Sequence, residues 1–113
     1  MAVATVTVRA NISVGIASGK YVCDSSPTLT PINVGFKPSF VKVWNITDKD
    51  VVTIWSEDMA DGTAITWGTA AAAVASGAIT PVLHTDGTNF GFSVGTDASV
   101  QEASKTFGFI AFR

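Results

Sequence analysis

Ala4-Thr5-Val6-Thr7-Val8-Arg9-Ala10-Asn11-Ile12-Ser13-Val14-Gly15-Ile16-Ala17 alternates small apolar with mostly polar residues without a slip, and this run decides the fold class. Ala4, Val6, Val8, Ala10, Ile12, Val14 and Ile16 share one parity, while Thr5, Thr7, Arg9, Asn11, Ser13 and Gly15 share the other. A period of two sends successive side chains to opposite faces, so the run reads as a half-buried β-strand with one dry face. Taken as one strand at about 3.3 Å per residue, it would reach roughly 46 Å, far beyond the usual strand of about 5–6 residues. A chain of 113 residues has no core that wide. The strand is therefore expected to bend through a bulge at Gly15, or to leave its domain and pair elsewhere. On this reading residues 1–17 form a long N-terminal strand or assembly arm and residues 18–113 a β-sandwich domain. Val6, Val8, Ala10 and Ile12 are its candidate partner-binding residues.

Composition narrows the functional classes. Hydrophobic residues make up 47% and charged residues 14% of the chain, against a usual charged share of about 25%. So little charge implies a surface partly covered by something other than water: homo-oligomeric packing would supply it, and insolubility or a membrane would also fit. No run approaches the ~18 uncharged apolar residues of a membrane helix. The net charge of −2 and the scattering of Arg9, Lys20, Lys37, Lys42, Lys49, Lys105 and Arg113 give no pull toward nucleic acid or a membrane. Cys23 is the single cysteine, which excludes an intrachain disulfide and a cysteine-built metal cluster. Met1-Ala2 leads directly into the first strand with no secretory pattern, so synthesis in a cytoplasm is expected.

Further along, Lys20 to Pro31 is turn-rich, with Asp24-Ser25-Ser26-Pro27 at its centre. Phe40 to Ile46 reads as a strand, Thr47-Asp48-Lys49-Asp50 as a polar turn and Val51 to Trp55 as the returning strand. In that hairpin Trp44 and Trp55 can become neighbours on a common face, a register that the sequence does not fix. Ala64-Ile65-Thr66-Trp67 is a short strand. Thr69 to Gly77 is alanine-rich and reads as a loop or one helical turn. Ile79 to Thr85, Asn89 to Val94 and Lys105 to Phe112 complete a β series broken by Asp86-Gly87 and Gly95-Thr96-Asp97. The whole predicts an all-β, single-domain antiparallel β-sandwich or jelly-roll-like fold with a long N-terminal strand. Phe107 to Phe112 is apolar on both faces and is expected to be central or at an interface; only Arg113 follows it.

No catalytic constellation emerges. His84 stands near Asp86, yet that pair reads as a turn or edge-strand histidine beside an aspartate. No Gly-x-Ser-x-Gly elbow is present to build a triad. Glu57, Asp58 and Asp61 precede Gly62 without the alternating spacing of a calcium loop, so they read as a solvated turn. Gly91-Phe92-Ser93-Val94-Gly95 opens no helix and reads as a bulged strand. Asn11-Ile12-Ser13 and Asn45-Ile46-Thr47 match the glycosylation triplet but fall within predicted strands. Trp44, Trp55 and Trp67 serve either as core or as an aromatic platform, with Trp67, between Thr66 and Gly68, the best platform candidate. No catalytic, cofactor-binding or metal-binding residue is therefore assigned, and the chain is not expected to be an enzyme.

Gly35-Phe36-Lys37-Pro38-Ser39-Phe40-Val41, Gly91-Phe92-Ser93-Val94-Gly95-Thr96 and Lys105-Thr106-Phe107-Gly108-Phe109-Ile110-Ala111-Phe112 together resemble small β-sandwich virion proteins of tailed bacteriophages, of the head decoration (cement) or head-fibre type. The resemblance implies a non-enzymatic virion component that assembles symmetrically, with no cofactor. Its partners would be itself, as a homotrimer, and the major capsid protein, whose assembled head it would stabilise. The place of action would be the virion, after synthesis in the bacterial host cytoplasm. The alternative is a head- or tail-fibre-type module that binds host-surface carbohydrate.

Overall fold

The computed structural model describes residues 5–11, 14–68, 70–83 and 90–113. Ten strands form two antiparallel sheets: β1 (Thr5–Asn11), β2 (Ile16–Val22), β3 (Thr30–Asn33), β4 (Phe40–Asn45), β5 (Val52–Ser56), β6 (Ala64–Trp67), β7 (Ala71–Val74), β8 (Ile79–Leu83), β9 (Phe90–Val94) and β10 (Thr106–Phe112). The larger sheet runs β1-β2-β10-β4-β5-β6-β7 and the smaller β3-β9-β8. No helix occurs among the described residues. The chain is an all-β sandwich, as its periodicity predicts.

The Ala4–Ala17 run is not one strand. It folds back, so that β1 and β2 pair from Thr5↔Val22 to Asn11↔Ile16. Gly15 adopts φ 80°, a left-handed conformation that glycine reaches without steric cost. Its amide donates to the Asn11 carbonyl at 2.7 Å, and the Val14 amide donates to the Asn11 side-chain oxygen at 3.2 Å. The physical reason is size: the molecule measures 36 × 31 × 21 Å and has no face long enough for an unbroken strand of that length. The reversal also swaps parity, because even-numbered residues of β1 oppose odd-numbered residues of β2. Val6 and Val8 face inward with Ala17 and Tyr21, whereas Val14 (64% exposed) and Ile16 (39% exposed) lie outside the core.

Two other expectations change. Thr69 to Gly77 contains strand β7, paired with β6 from Ala64↔Val74 to Trp67↔Ala71. Sheet pairing and the burial of Val74 override the helical preference of the alanines. Thr30–Asn33, in a segment read as turns ending at Pro31, is strand β3 on an edge, where proline's missing donor is tolerated. Phe107–Phe112 does lie inside a sheet, as its two apolar faces require, with β2 on one side and β4 on the other.

The core lies between the sheets. Tyr21 stacks on Phe107 with ring centroids 5.6 Å apart, and Phe92 meets Phe109 edge-on at 5.5 Å. Several of its polar groups are paired. The Tyr21 hydroxyl donates to the Val100 carbonyl at 2.5 Å, Thr53 donates to the Ser99 carbonyl at 2.9 Å, and the Gln101 amide donates to the Thr28 carbonyl at 2.6 Å. These bonds tie the Asp97–Gln101 segment beneath the large sheet.

Candidate functional site

The smaller sheet covers one face of the larger and, among the described residues, the other is left open. Strand alternation decides what that outer face carries. Val41, Val43 and Trp55 turn inward and are buried, so Lys42, Trp44 and Ile54 turn outward. Trp44 and Trp55 are therefore not neighbours on one face: the register sets Trp44 opposite Val52, and Trp55 opposite Val41. Trp55 is 1% exposed and donates its indole N–H to the Ala60 carbonyl at 3.2 Å, as a core residue. Trp67 is 43% exposed.

A row crosses the outer face from Gly108 to Trp44, Val52 and Trp67, each opposite the next. With strands spaced about 4.8 Å apart, the two tryptophan backbones stand roughly 10 Å from one another. Between them lies a depression of about 610 Å³, floored by Val52 and rimmed by Lys42, Lys49 and Asp50. Gly108 makes room for the first indole, because a Cβ there would come 2.6 Å from the Trp44 ring. On the other side of Trp44 a second depression of about 390 Å³ is bordered by Arg9, Lys20 and Ile110.

The rim is stiffened by the β4–β5 turn. The Lys49 amide donates to the Asn45 carbonyl at 3.0 Å, and the Asp48 amide donates to the Asn45 side-chain oxygen at 2.8 Å. The Lys49 ammonium donates to the Ile46 carbonyl at 3.0 Å, while Lys105 pairs with Asp48 at 3.2 Å. Asn45 is buried, with its amide engaged in this turn, and so presents no glycosylation acceptor.

Of the residues expected to bind a partner, Val6 and Val8 are half-buried against the core, Ala10 is exposed on edge strand β1, and Ile12 lies outside the described residues. His84 and Asp86 also lie outside them. Glu57, Asp58 and Asp61 are exposed in the β5–β6 turn, and among the described residues no group of three or more His, Cys, Asp or Glu side chains is placed to hold a metal ion. Cys23 is buried, which pushes its thiol pKa up, away from reactive thiolate chemistry. Trp44, one of the three platform candidates in the sequence, ranks there below Trp67 because Phe40–Asn45 carries apolar residues on both parities. The signal available in the sequence was Lys42, two residues away and on the same face.

Comparison with protein-family models finds no match, and comparisons with curated proteins and with solved structures find none either.

Proposed function

We propose that the chain is a non-enzymatic assembly module, a phage virion structural protein of the decoration or cement type. It would associate with copies of itself and with the major capsid protein in the virion. One observation carries the reading: the two sheets treat their edges differently. Both edges of the smaller sheet contain proline, Pro31 in β3 and Pro81 in β8, a residue that discourages further pairing. Neither edge of the larger sheet does. β1 offers seven residues of edge backbone with Arg9 as their one charge, and β7 offers four uncharged residues. An open edge of this length is a template for strand addition, in which main-chain bonds give affinity. Inward-facing Val6 and Val8 set the register, and Ala10 keeps the approach narrow.

Light scattering after size exclusion tests the proposal. The full chain should elute as a defined oligomer, and both truncation of residues 1–10 and Thr7→Lys/Asn11→Lys should return it to monomer. A full chain that is monomeric at every concentration would sink it.

The exposed Trp67 beside Trp44 favours a second reading, a fibre-type module that binds host-surface carbohydrate.

A further inference from the structure

We infer that the outer face of the large sheet binds an acidic oligosaccharide, with Trp44 and Trp67 as stacking platforms and Arg9, Lys20 and Lys42 as the cations that select its acid groups. The inference deepens the carbohydrate reading and is independent of the oligomeric one.

Charge distribution carries it. The chain is acidic overall, with nine carboxylate residues against seven basic ones. Yet the residues that the strand registers place on the outer face include Arg9, Lys20 and Lys42 and no Asp or Glu. A sheet face of one sign in a protein of the other is a local field suited to an anion. Those cations stand among apolar groups: the register puts Lys42 between Ile110 and Ile54. A ligand that fits must combine apolar surface with sparse negative charge.

A pyranose ring does so. Its C–H face lies on an indole, its hydroxyls reach outward, and a carboxylate or sulfate on alternate rings matches widely spaced cations. The depression between Trp44 and Trp67 falls in the size range of small-ligand sites, which are mainly apolar with a few placed polar groups. On its rim Asp50 supplies acceptors for hydroxyls and Lys42 a donor. The second depression, beyond Trp44 and flanked by Arg9 and Lys20, extends the same surface, so a chain of several sugars would cross the Trp44 ridge. Single-stranded nucleic acid also stacks on aromatics, but it carries a charge at every nucleotide and uses a continuous basic track. Three separated cations, with Asp50 on the rim, suit it less well.

The test is a nuclear magnetic resonance titration of the full chain, following its indole N–H signals. The probes are a hyaluronan oligomer and sialyllactose, with maltohexaose and oligothymidylate as comparisons. At least one acidic probe should shift the Trp44 and Trp67 signals saturably and leave that of buried Trp55 in place. Trp67→Ala should weaken that binding about fivefold to 150-fold, as loss of one stacking platform of about 1–3 kcal/mol implies. Lys42→Gln should weaken it and flatten its salt dependence. Gly108→Ala, which displaces the Trp44 ring without removing it, should also weaken it. Equal response to maltohexaose would overturn the acid selectivity while leaving a carbohydrate site. Response to oligothymidylate alone, shifts that follow protein concentration instead of saccharide, or no response to any acidic probe would overturn the inference altogether.

Discussion

Tyr21 shows how much a single buried group decides. Its ring fills the core against Phe107 and its hydroxyl reaches the Val100 carbonyl across the sandwich. Burial, with a smaller contribution from Cys23, holds its pKa well above the ordinary 10.0. Above that ordinary value the unfolded chain releases the proton while the folded chain retains it. The folded state then binds more protons, so stability is present below about pH 10 and falls above it, by about 1.4 kcal/mol per pH unit. Cys23 adds a fall of the same sign from its ordinary 9.0 upward. Tyr21→Phe should cost about 1–3 kcal/mol at neutral pH, because the Val100 carbonyl loses its donor, and should abolish most of the alkaline slope. Urea denaturation of both proteins across neutral to alkaline pH measures both effects.

Elements meet through backbone as well as side chains, and β9 is among the tightest cases. A Cβ on Gly91 would run into the Ile32 carbonyl of β3, which is main chain and cannot swing aside. Gly91→Ala should therefore part β3 from β9 and lower stability by about 1–3 kcal/mol, within the usual range for overpacking. Gly108→Ala meets only the Trp44 ring on the open face and should cost less than about 1 kcal/mol. Thermal melts of the two variants side by side decide the point; equal losses would mean that Trp44 is held far more rigidly than its position indicates. β7 illustrates the opposite extreme, a short edge strand with Val74 as its one buried side chain.

The whole molecule is a two-layer sandwich in which seven strands are backed by three. Among the described residues, one face of the larger sheet and both of its edges are left without a protein layer, and the proposed activities divide between them. Strand addition at β1 uses main-chain hydrogen bonds and small apolar side chains, with few charges. The mass of the oligomer should accordingly stay constant from about 0.05 to 0.5 M salt, whereas binding of an acidic saccharide to the outer face should weaken over that range. Light scattering and titration in the same buffers separate the two. An oligomer that dissociates as salt rises would assign its interface to the charged outer face instead of the edge.

That this chain is built of β-strands is legible in its residues, since alternation, β-branched residues and turn signals are local properties. Those signals place β6 at Ala64–Trp67, the β4–β5 hairpin within a residue at each outer end, and β10 in a sheet interior. Tertiary structure decided the rest. The Ala4–Ala17 alternation continues through a reversal because pairing Asn11 opposite Ile16 exchanges the parities, and nothing local distinguishes that from one long strand. Which parity of Phe40–Asn45 faces the second sheet is likewise a non-local choice, and it alone put Trp44 on the surface and Trp55 in the core. Thr69–Gly77 became partly strand because β6 offered a free edge to pair with. A period of two defines two faces; only the packing of one sheet on another says which of them is left to meet a partner.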